Sequence, residues 1–276
     1  MDVIIDSRIK AVPASTLELT GQKLVYLNLL QSLGYASHQL PLASLLSQLH
    51  DLEGDWLILS PIHWQATHND AMIMAHGDTL SLSEDESRTW FKELSAYLEK
   101  DQFELVYHNA EIWLIRKKSM LPIQAKSVYQ MFHRSMMPEL SALDDTLFWQ
   151  QFLTETQMFL SSHDLNQARI QEQKPVLNGV WVWGAGHLAL SEAVICTVQS
   201  FEKIARICST NVHIYSPQVS LRDINILLLS DLSDLSSQHK EKLTQSSIRW
   251  FWNDFSYLSK KRRWWHQLRR KLRHAD

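Results

Sequence analysis

Glycine is scarce in this sequence, with 7 residues in 276 where ordinary usage of about 7% would give roughly 19. A site that needs several backbone amides in a glycine-rich loop therefore has few places to sit. The two cysteines, Cys196 and Cys208, are too few for a disulfide framework or a four-cysteine zinc site. They fit a reduced, cytoplasmic protein, and their apolar surroundings read as core. No apolar run approaches the ~18 residues of a membrane span, so no transmembrane segment is expected. Met1 leads straight to Asp2 without a basic and then apolar leader, so no secretory signal is expected either. At 45% hydrophobic and 21% charged residues, the chain is neither disordered nor collagen-like.

What is abundant is tryptophan (11) and histidine (13), and the charge is unevenly spread. The formal net charge of −3 conceals an acidic body and a basic end. Eight of the 27 basic residues fall in one short segment: Lys260, Lys261, Arg262, Arg263, Arg269, Arg270, Lys271 and Arg273. Only Asp276 among the 30 acidic residues lies beyond residue 259. Such an arrangement suits a tail that docks on its own body or one that meets an anionic partner.

Elements alternate in the α/β manner. Val3 to Ile5 reads as a strand, Gln22 to Leu33 as a helix stopped by Gly34, and Pro41 as the opening of a second helix. Trp56 to Leu59 is a buried strand predicted to end at Ser60-Pro61, and Ala71 to Ala75 a further one. Ser83 caps a helix with Glu86 at the reciprocal position of a capping box. Phe103 to Tyr107 and Ile112 to Ile115 form a hairpin across 108–111. Pro122 and Pro138 bracket a helical connection, and Thr146 to Ser162 is a long helix. Val180 to Trp183, Val212 to Tyr215 and Ile224 to Leu229 are strands, with a helix between Gln199 and Cys208. Apolar runs rather than alternations favour a sheet covered on both faces. The expected fold is α/β, a mixed or mostly parallel sheet covered by helices, in a single domain over 1–258 with a helical connection at about 119–172. A basic aromatic helix over 259–276 follows.

The stretch from Glu155 to Gly186 is the richest in polar groups beside core positions. Glu155, Gln157, His163, Asn166 and Arg169 lead to Asn178, then Val180-Trp181-Val182-Trp183 and Gly184-Ala185-Gly186. A strand closing in Gly-Ala-Gly can present amides at a sheet's carboxyl edge; it can equally be a tight turn after two packed tryptophans. A second group, His63, His68, Asp70 and His76 with Asp78 nearby, mixes imidazole and carboxylate as a single zinc-like ion requires. Its spacing matches no recognised pattern, and polar loop residues explain it as well.

These residues resemble a known family. Glu155-x-Gln157-Met158, His163, Asn166, Arg169, Pro175 and Asn178-Gly179-Val-Trp-Val-Trp-Gly184-Ala-Gly186 are similar to the signature of RpfE-type regulatory proteins, often labelled cofactor-independent phosphoglycerate mutase-like. Ser60-Pro61-Ile62-His63, Asn69-Asp70, Glu111-Ile-Trp113-Leu-Ile-Arg116 and the basic C-terminus extend the likeness. The Asn-x-x-Trp-x-Trp-Gly-x-Gly element also resembles a motif of archaeal-type mutases in the alkaline phosphatase superfamily. The mutase likeness implies a serine or threonine nucleophile and two metal ions held by Asp and His. An enzyme of that kind would have Asn178, Gly184 and Gly186 near a substrate phosphate and His163 and Arg169 neutralising its charge; Asn166, Trp181 and Trp183 complete the ligand-binding candidates. Asp6, however, is followed by Ser7 where that family has glycine, and Asp231 and Asp234 are followed at useful spacing only by His239.

The basic segment has an amphipathic pattern. Trp264, Trp265, Leu268 and Leu272 recur at helical spacing, and Trp250, Phe251, Trp252, Phe255 and Leu258 supply a second aromatic face upstream, expected to pack on the body. The expectation is a non-catalytic cytoplasmic regulatory or adaptor protein on a mutase-like scaffold. Its basic tail would bind a protein or nucleic acid, or an anionic membrane surface. No cofactor is expected. The alternatives are a phosphomutase or phosphatase using a divalent metal, and a membrane-surface protein attached through 250–273. Oligomeric state is not written in the sequence.

Overall fold

The computed structural model of the chain describes residues 1–10, 16–19, 23–66, 70–119 and 121–259. In chain order its first elements are β1 (Asp2–Ile5), β2 (Leu17–Glu18), α1 (Val25–Ser32), α2 (Leu42–Leu49), β3 (Leu57–Ala66), β4 (Ala71–His76), α3 (Glu84–Glu99), β5 (Phe103–Asn109) and β6 (Ile112–Lys117). There follow α4 (Val128–Met131), α5 (Met137–Ala142), α6 (Phe148–Ser161), α7 (Leu165–Gln171), β7 (Gly179–Trp183) and β8 (Ile195–Thr197). The last are α8 (Glu202–Cys208), β9 (Val212–Ile214), β10 (Ile226–Leu229), α9 (Ser237–Thr244), β11 (Ile248–Phe251) and β12 (Ser256–Ser259). The α/β class is as expected. The chain divides into two compact units, residues 1–35 with 189–276, and residues 36–188.

The first unit is built on a sheet of order β2-β12-β11-β1-β10-β8-β9. From β11 to β9 every pairing is parallel, and β12 and β2 extend it antiparallel. Val3, Ile4 and Ile5 are fully buried, as a central parallel strand covered on both faces requires. Val3, Ile5, Cys196, Leu227 and Leu229 share one core with Leu235, Leu243 and Trp250; each such side chain contributes about 1.5–3 kcal/mol on burial. Asp2, buried at the head of β1, is held by a two-pronged contact from Arg249 on the neighbouring strand, at 2.7 and 2.6 Å. The aromatic group at 250–258 belongs to β11 and β12, with Trp250 opposite Tyr257 and their rings stacked.

The second unit is antiparallel and centres on β3, which pairs with β6, β7 and β4 in turn, while β5 pairs with β6. β3 does not end at Ser60-Pro61 as predicted but runs on to Ala66. Pro61 falls after the pairing with β6 has ended at Leu59 and before that with β4 begins at Ile62. A residue without an amide is tolerated at such a gap. On α3, Trp90, Leu94 and Leu98 are buried, and Tyr97 stacks on Phe159 of α6 with ring centroids 4.2 Å apart. The hairpin is tighter than expected, turning at Ala110-Glu111.

Candidate functional site

The polar series around α7 is drawn into the protein. Asn166 donates from Nδ2 to the carbonyls of Leu160 and Leu177, at 2.9 and 3.0 Å, and its Oδ1 accepts from the Leu177 amide at 2.9 Å. Arg169 is 1% exposed. Its Nε donates to the Pro175 carbonyl and its Nη1 to Glu86 Oε1, both at 2.6 Å, and its Nη2 donates to the Leu80 carbonyl. The guanidinium fork thus ties the segment after α7 to the start of α3. Ser83 caps α3 as predicted, its Oγ accepting from the Glu86 amide, but the Glu86 carboxylate is turned to Arg169. Asn178 extends the β3–β7 pairing through its side chain, accepting from the Trp64 amide at 2.9 Å and donating to the Trp64 carbonyl at 2.8 Å. His163 lies against the rings of Trp90 and Phe159, with Glu93 3.7 Å from its Nε2.

The tryptophans and glycines are equally engaged. Trp181 and Trp183 are buried; their indole N–H groups donate to the Lys126 carbonyl at 2.8 Å and to Ser60 Oγ at 2.9 Å. Gly184 has φ +80°, and its carbonyl accepts from the Ala43 amide in the first turn of α2, at 3.1 Å. A side chain there would meet Ile58 at 2.8 Å, and one at Gly186 would meet Pro41 at 3.2 Å. The small residues therefore let α2 seat closely, with a carbonyl of the turn stopping one of its free amides.

The histidine group is dispersed. His63 Nδ1 lies 3.0 Å from the Val176 carbonyl, and burial holds its pKa below the usual histidine value. Asp70 Oδ1 accepts from the Ala71 amide and from Ser135, both at 2.7 Å. His76 packs edge-on to Tyr129 and Phe132. His68 lies outside the described residues. Cys196 and Cys208 are fully buried, and burial pushes their thiols up to about 11 and about 12.

A second collection of polar groups sits at the carboxyl ends of the parallel strands in the first unit. β8 leads through α8 to β9 on one side, while β10 leads through α9 to β11 beyond β1. The ends of β8 and β10 consequently flank a point where connections diverge, the place where open parallel sheets bind ligands. Ser200 and Ser230 meet there at 3.0 Å. Beside them, Ser7 Oγ is 3.5 Å from Asp231 Oδ2, and Asn253 donates to Asp6 at 2.9 Å. The neighbouring carboxylates cap backbone: Asp231 accepts from the Ser233 amide and hydroxyl, Asp234 from the amides of Ser230 and Asp231, and Asp254 from Ile9. His239 is elsewhere, with Nδ1 2.8 Å from the Tyr215 hydroxyl. Among the described residues no three His, Cys, Asp or Glu side chains gather as metal ligands would, so this edge does not fit the two-metal centre that the mutase likeness implies. Sequence reading found Asp6, Ser7, Asp231 and Asp234 but passed over Ser200, Ser230 and Asn253, whose signal is only their position after strands.

The basic segment 260–276 lies outside the described residues. Upstream, Trp250, Phe251, Trp252 and Tyr257 are buried in or beside β11 and β12. They are core groups, in line with the expectation that this aromatic face packs on the body. No described helix is long and apolar enough to cross one.

No protein-family model matches this sequence, and none of the curated proteins matches it. Among the solved structures similar to it are two of low sequence identity. One is a cofactor-independent phosphoglycerate mutase from Thermoplasma acidophilum, with 11% identity and a TM-score of 0.39 over 94% of this chain and 89% of that one. The other is the PH0037 protein from Pyrococcus horikoshii, with 11% identity and a TM-score of 0.38 over 78% of this chain and 57% of that one.

Proposed function

We propose that the chain is a non-catalytic binding protein, a regulatory or adaptor protein of the RpfE type that engages an anionic partner through Lys260–Arg273. The observation that carries the first half is the state of Arg169. A cation meant for a phosphate keeps donors free, whereas this guanidinium is buried on Glu86 and two carbonyls. Asn166 and Asn178 are likewise committed to backbone. The second half rests on charge: eight cations in a short segment against a body that holds 29 of the 30 acidic residues, a distribution that draws anionic surfaces.

A second reading, a phosphatase or phosphomutase, is favoured by one feature: the meeting of Asp6, Ser7, Ser200, Ser230 and Asp231 at a topological switch point. Both are tested on the full-length protein. Incubation with p-nitrophenyl phosphate and 3-phosphoglycerate, with manganese or magnesium added, is expected to give no turnover. Turnover abolished by Asp6→Ala would establish the second reading instead. A labelled single-stranded oligonucleotide and phosphatidylserine vesicles serve as anionic probes; salt-sensitive binding to either, lost on deleting 259–276, is the expected result. Binding that survives the deletion removes the tail from the proposal.

A further inference from the structure

Two histidines that belong to neither polar collection meet within the 36–188 unit. His50 closes α2 as its C-terminal cap, its amide donating to the Leu46 carbonyl at 3.0 Å. His108 lies near the end of β5, where Tyr107 pairs with Trp113 and Asn109 with Ile112. Two steps on β5 thus answer one on β6, and His108 is the extra residue of a β-bulge. A bulge re-aims a side chain that the regular pleat would send elsewhere. This one is held by Asn109, whose Oδ1 accepts from the Glu111 and Ile112 amides, both at 2.9 Å. As a result His50 Nε2 and His108 Nδ1 stand 2.9 Å apart, with the rings edge to face at 86°. Both rings are half-buried, walled by protein yet reached by water.

Two imidazole nitrogens at this spacing can share a proton or a metal ion. Metal–nitrogen bonds of about 2.0–2.1 Å at a right angle put their nitrogens about 2.9 Å apart, whereas a tetrahedral angle needs about 3.3–3.4 Å. Burial and the neighbouring His50 hold the His108 pKa down to about 4, so at neutral pH that ring is in the neutral form that ligates metals. The pair also stands at the C-terminal end of α2, whose partial negative charge favours a cation. We propose that His50 and His108 form an exchangeable copper(II) site, the ion taking His50 Nε2 and His108 Nδ1 on two adjacent positions and water on the rest. Nitrogen donors at a right angle select copper(II), which also heads the affinity order, over tetrahedral zinc; magnesium and calcium require oxygen. On binding, the ring that donates in the present contact carries its proton on its other nitrogen, and each ring turns its lone pair off the line between them. The ion sheds two water molecules, and no proton or electron leaves the protein. The site is separate from the dinuclear centre that the mutase likeness implies, whose candidate acids lie in the first unit.

The test uses the full-length, tag-free protein with half an equivalent of copper(II) in glycine buffer, so that only the strongest site among the 13 histidines fills. Electron paramagnetic resonance is expected to show a tetragonal signal split by two imidazole nitrogens. Hydrogen exchange is expected to slow at the amides of 46–52 and 104–109, a readout that needs no variant. His50→Gln and His108→Gln, checked for folding by circular dichroism, should each weaken copper binding roughly tenfold or more, because one donor then loses its preplaced neighbour. His213→Gln, at an exposed position of β9, should leave binding unchanged. Zinc(II) should bind the wild type roughly tenfold or more weakly than copper(II). Copper affinity unaltered in both folded variants overturns the proposal. So does a signal from a single nitrogen, slowed exchange confined to other segments, or zinc bound as tightly as copper.

Discussion

Replacing Arg169 by methionine separates a structural guanidinium from a ligand-binding one. Methionine keeps much of the aliphatic volume and removes the three donors, leaving the Leu80 and Pro175 carbonyls without those partners. Each buried acceptor deprived of a partner costs about 1–3 kcal/mol, and a charged hydrogen bond such as that to Glu86 is worth about 1.5–3 kcal/mol. The Glu86 side chain is 26% exposed against 2% for Arg169, so its carboxylate can regain water and its share falls to the lower end. Together these give a loss of about 3–5 kcal/mol, the range found when one partner of a buried pair is removed. With a urea dependence of about 1–3 kcal/mol per molar, the unfolding midpoint of the 36–188 unit should fall by at least ~1 M. The assay is urea unfolding followed by tryptophan fluorescence, with hydrogen exchange to localise the loss to 80–86 and 165–178. Glu86→Gln, which keeps an acceptor, should show a smaller shift. A midpoint within ~0.3 M of the wild type, with exchange unchanged in both segments, would refute the clamp and return Arg169 to the list of groups free to meet a phosphate.

Two further perturbations test other parts of the same unit. Gly184→Ala places a methyl group 2.8 Å from Ile58 Cγ1 at a φ of +80°, so overpacking and backbone strain should together cost about 1–3 kcal/mol in the same urea assay; an unchanged midpoint would mean that α2 does not seat on this turn. His108 is held down to about 4 by burial and by His50, whose Nε2 lies 2.9 Å from its Nδ1. The unfolded chain therefore binds a proton that the folded one refuses between pH ~6.5 and ~4, and stability falls as pH drops through that window. Because the ring is partly open to solvent, the loss is at most about 2–3 kcal/mol; His108→Gln should flatten the pH dependence of the midpoint, and an unaltered slope would exclude this pair as its source.

The legible parts of the fold were those where local chemistry and tertiary placement agree. Val3-Ile4-Ile5, Ser83 before its helix, the apolar stripe at Trp90, Leu94 and Leu98, and Pro41 ahead of α2 could each be read from spacing, because caps and periodicity act within one turn or one strand. The first unit was harder to see because β1 pairs with β10 and β11, more than 200 residues away by the registers Val3↔Leu227 and Val3↔Trp250. Gly34-Tyr35-Ala36 and His187-Leu188-Ala189, where the chain passes between units, carry no proline- or serine-rich linker. Residues 250–258 read as an aromatic face packed on the body, but the spacing of Trp250, Phe251, Trp252 and Phe255 does not by itself fix helix or strand. Their neighbours, β-branched and aromatic side chains closing on Tyr257, satisfy a two-stranded pairing equally well, and long-range pairing with β1 decided between the two.

The polar residues stand out in the sequence, but the groups they bond to are not legible there. Asn166, Arg169 and Asn178 are the residue types that a phosphate site recruits, and also those that best cross-link backbone without secondary structure. An amide side chain carries one acceptor and one double donor in the geometry of a peptide group, and a guanidinium forks to several carbonyls. Which use prevails depends on whether backbone carbonyls left over by irregular chain lie within reach. Here the loop from Gln173 to Asn178 and the turn at Leu80 leave such groups beside α7, and Asn166 and Arg169 meet them. A sequence lists donors but not the acceptors that loops orphan, so a cluster of such residues beside a core helix indicates a demand for hydrogen bonds before it indicates a ligand.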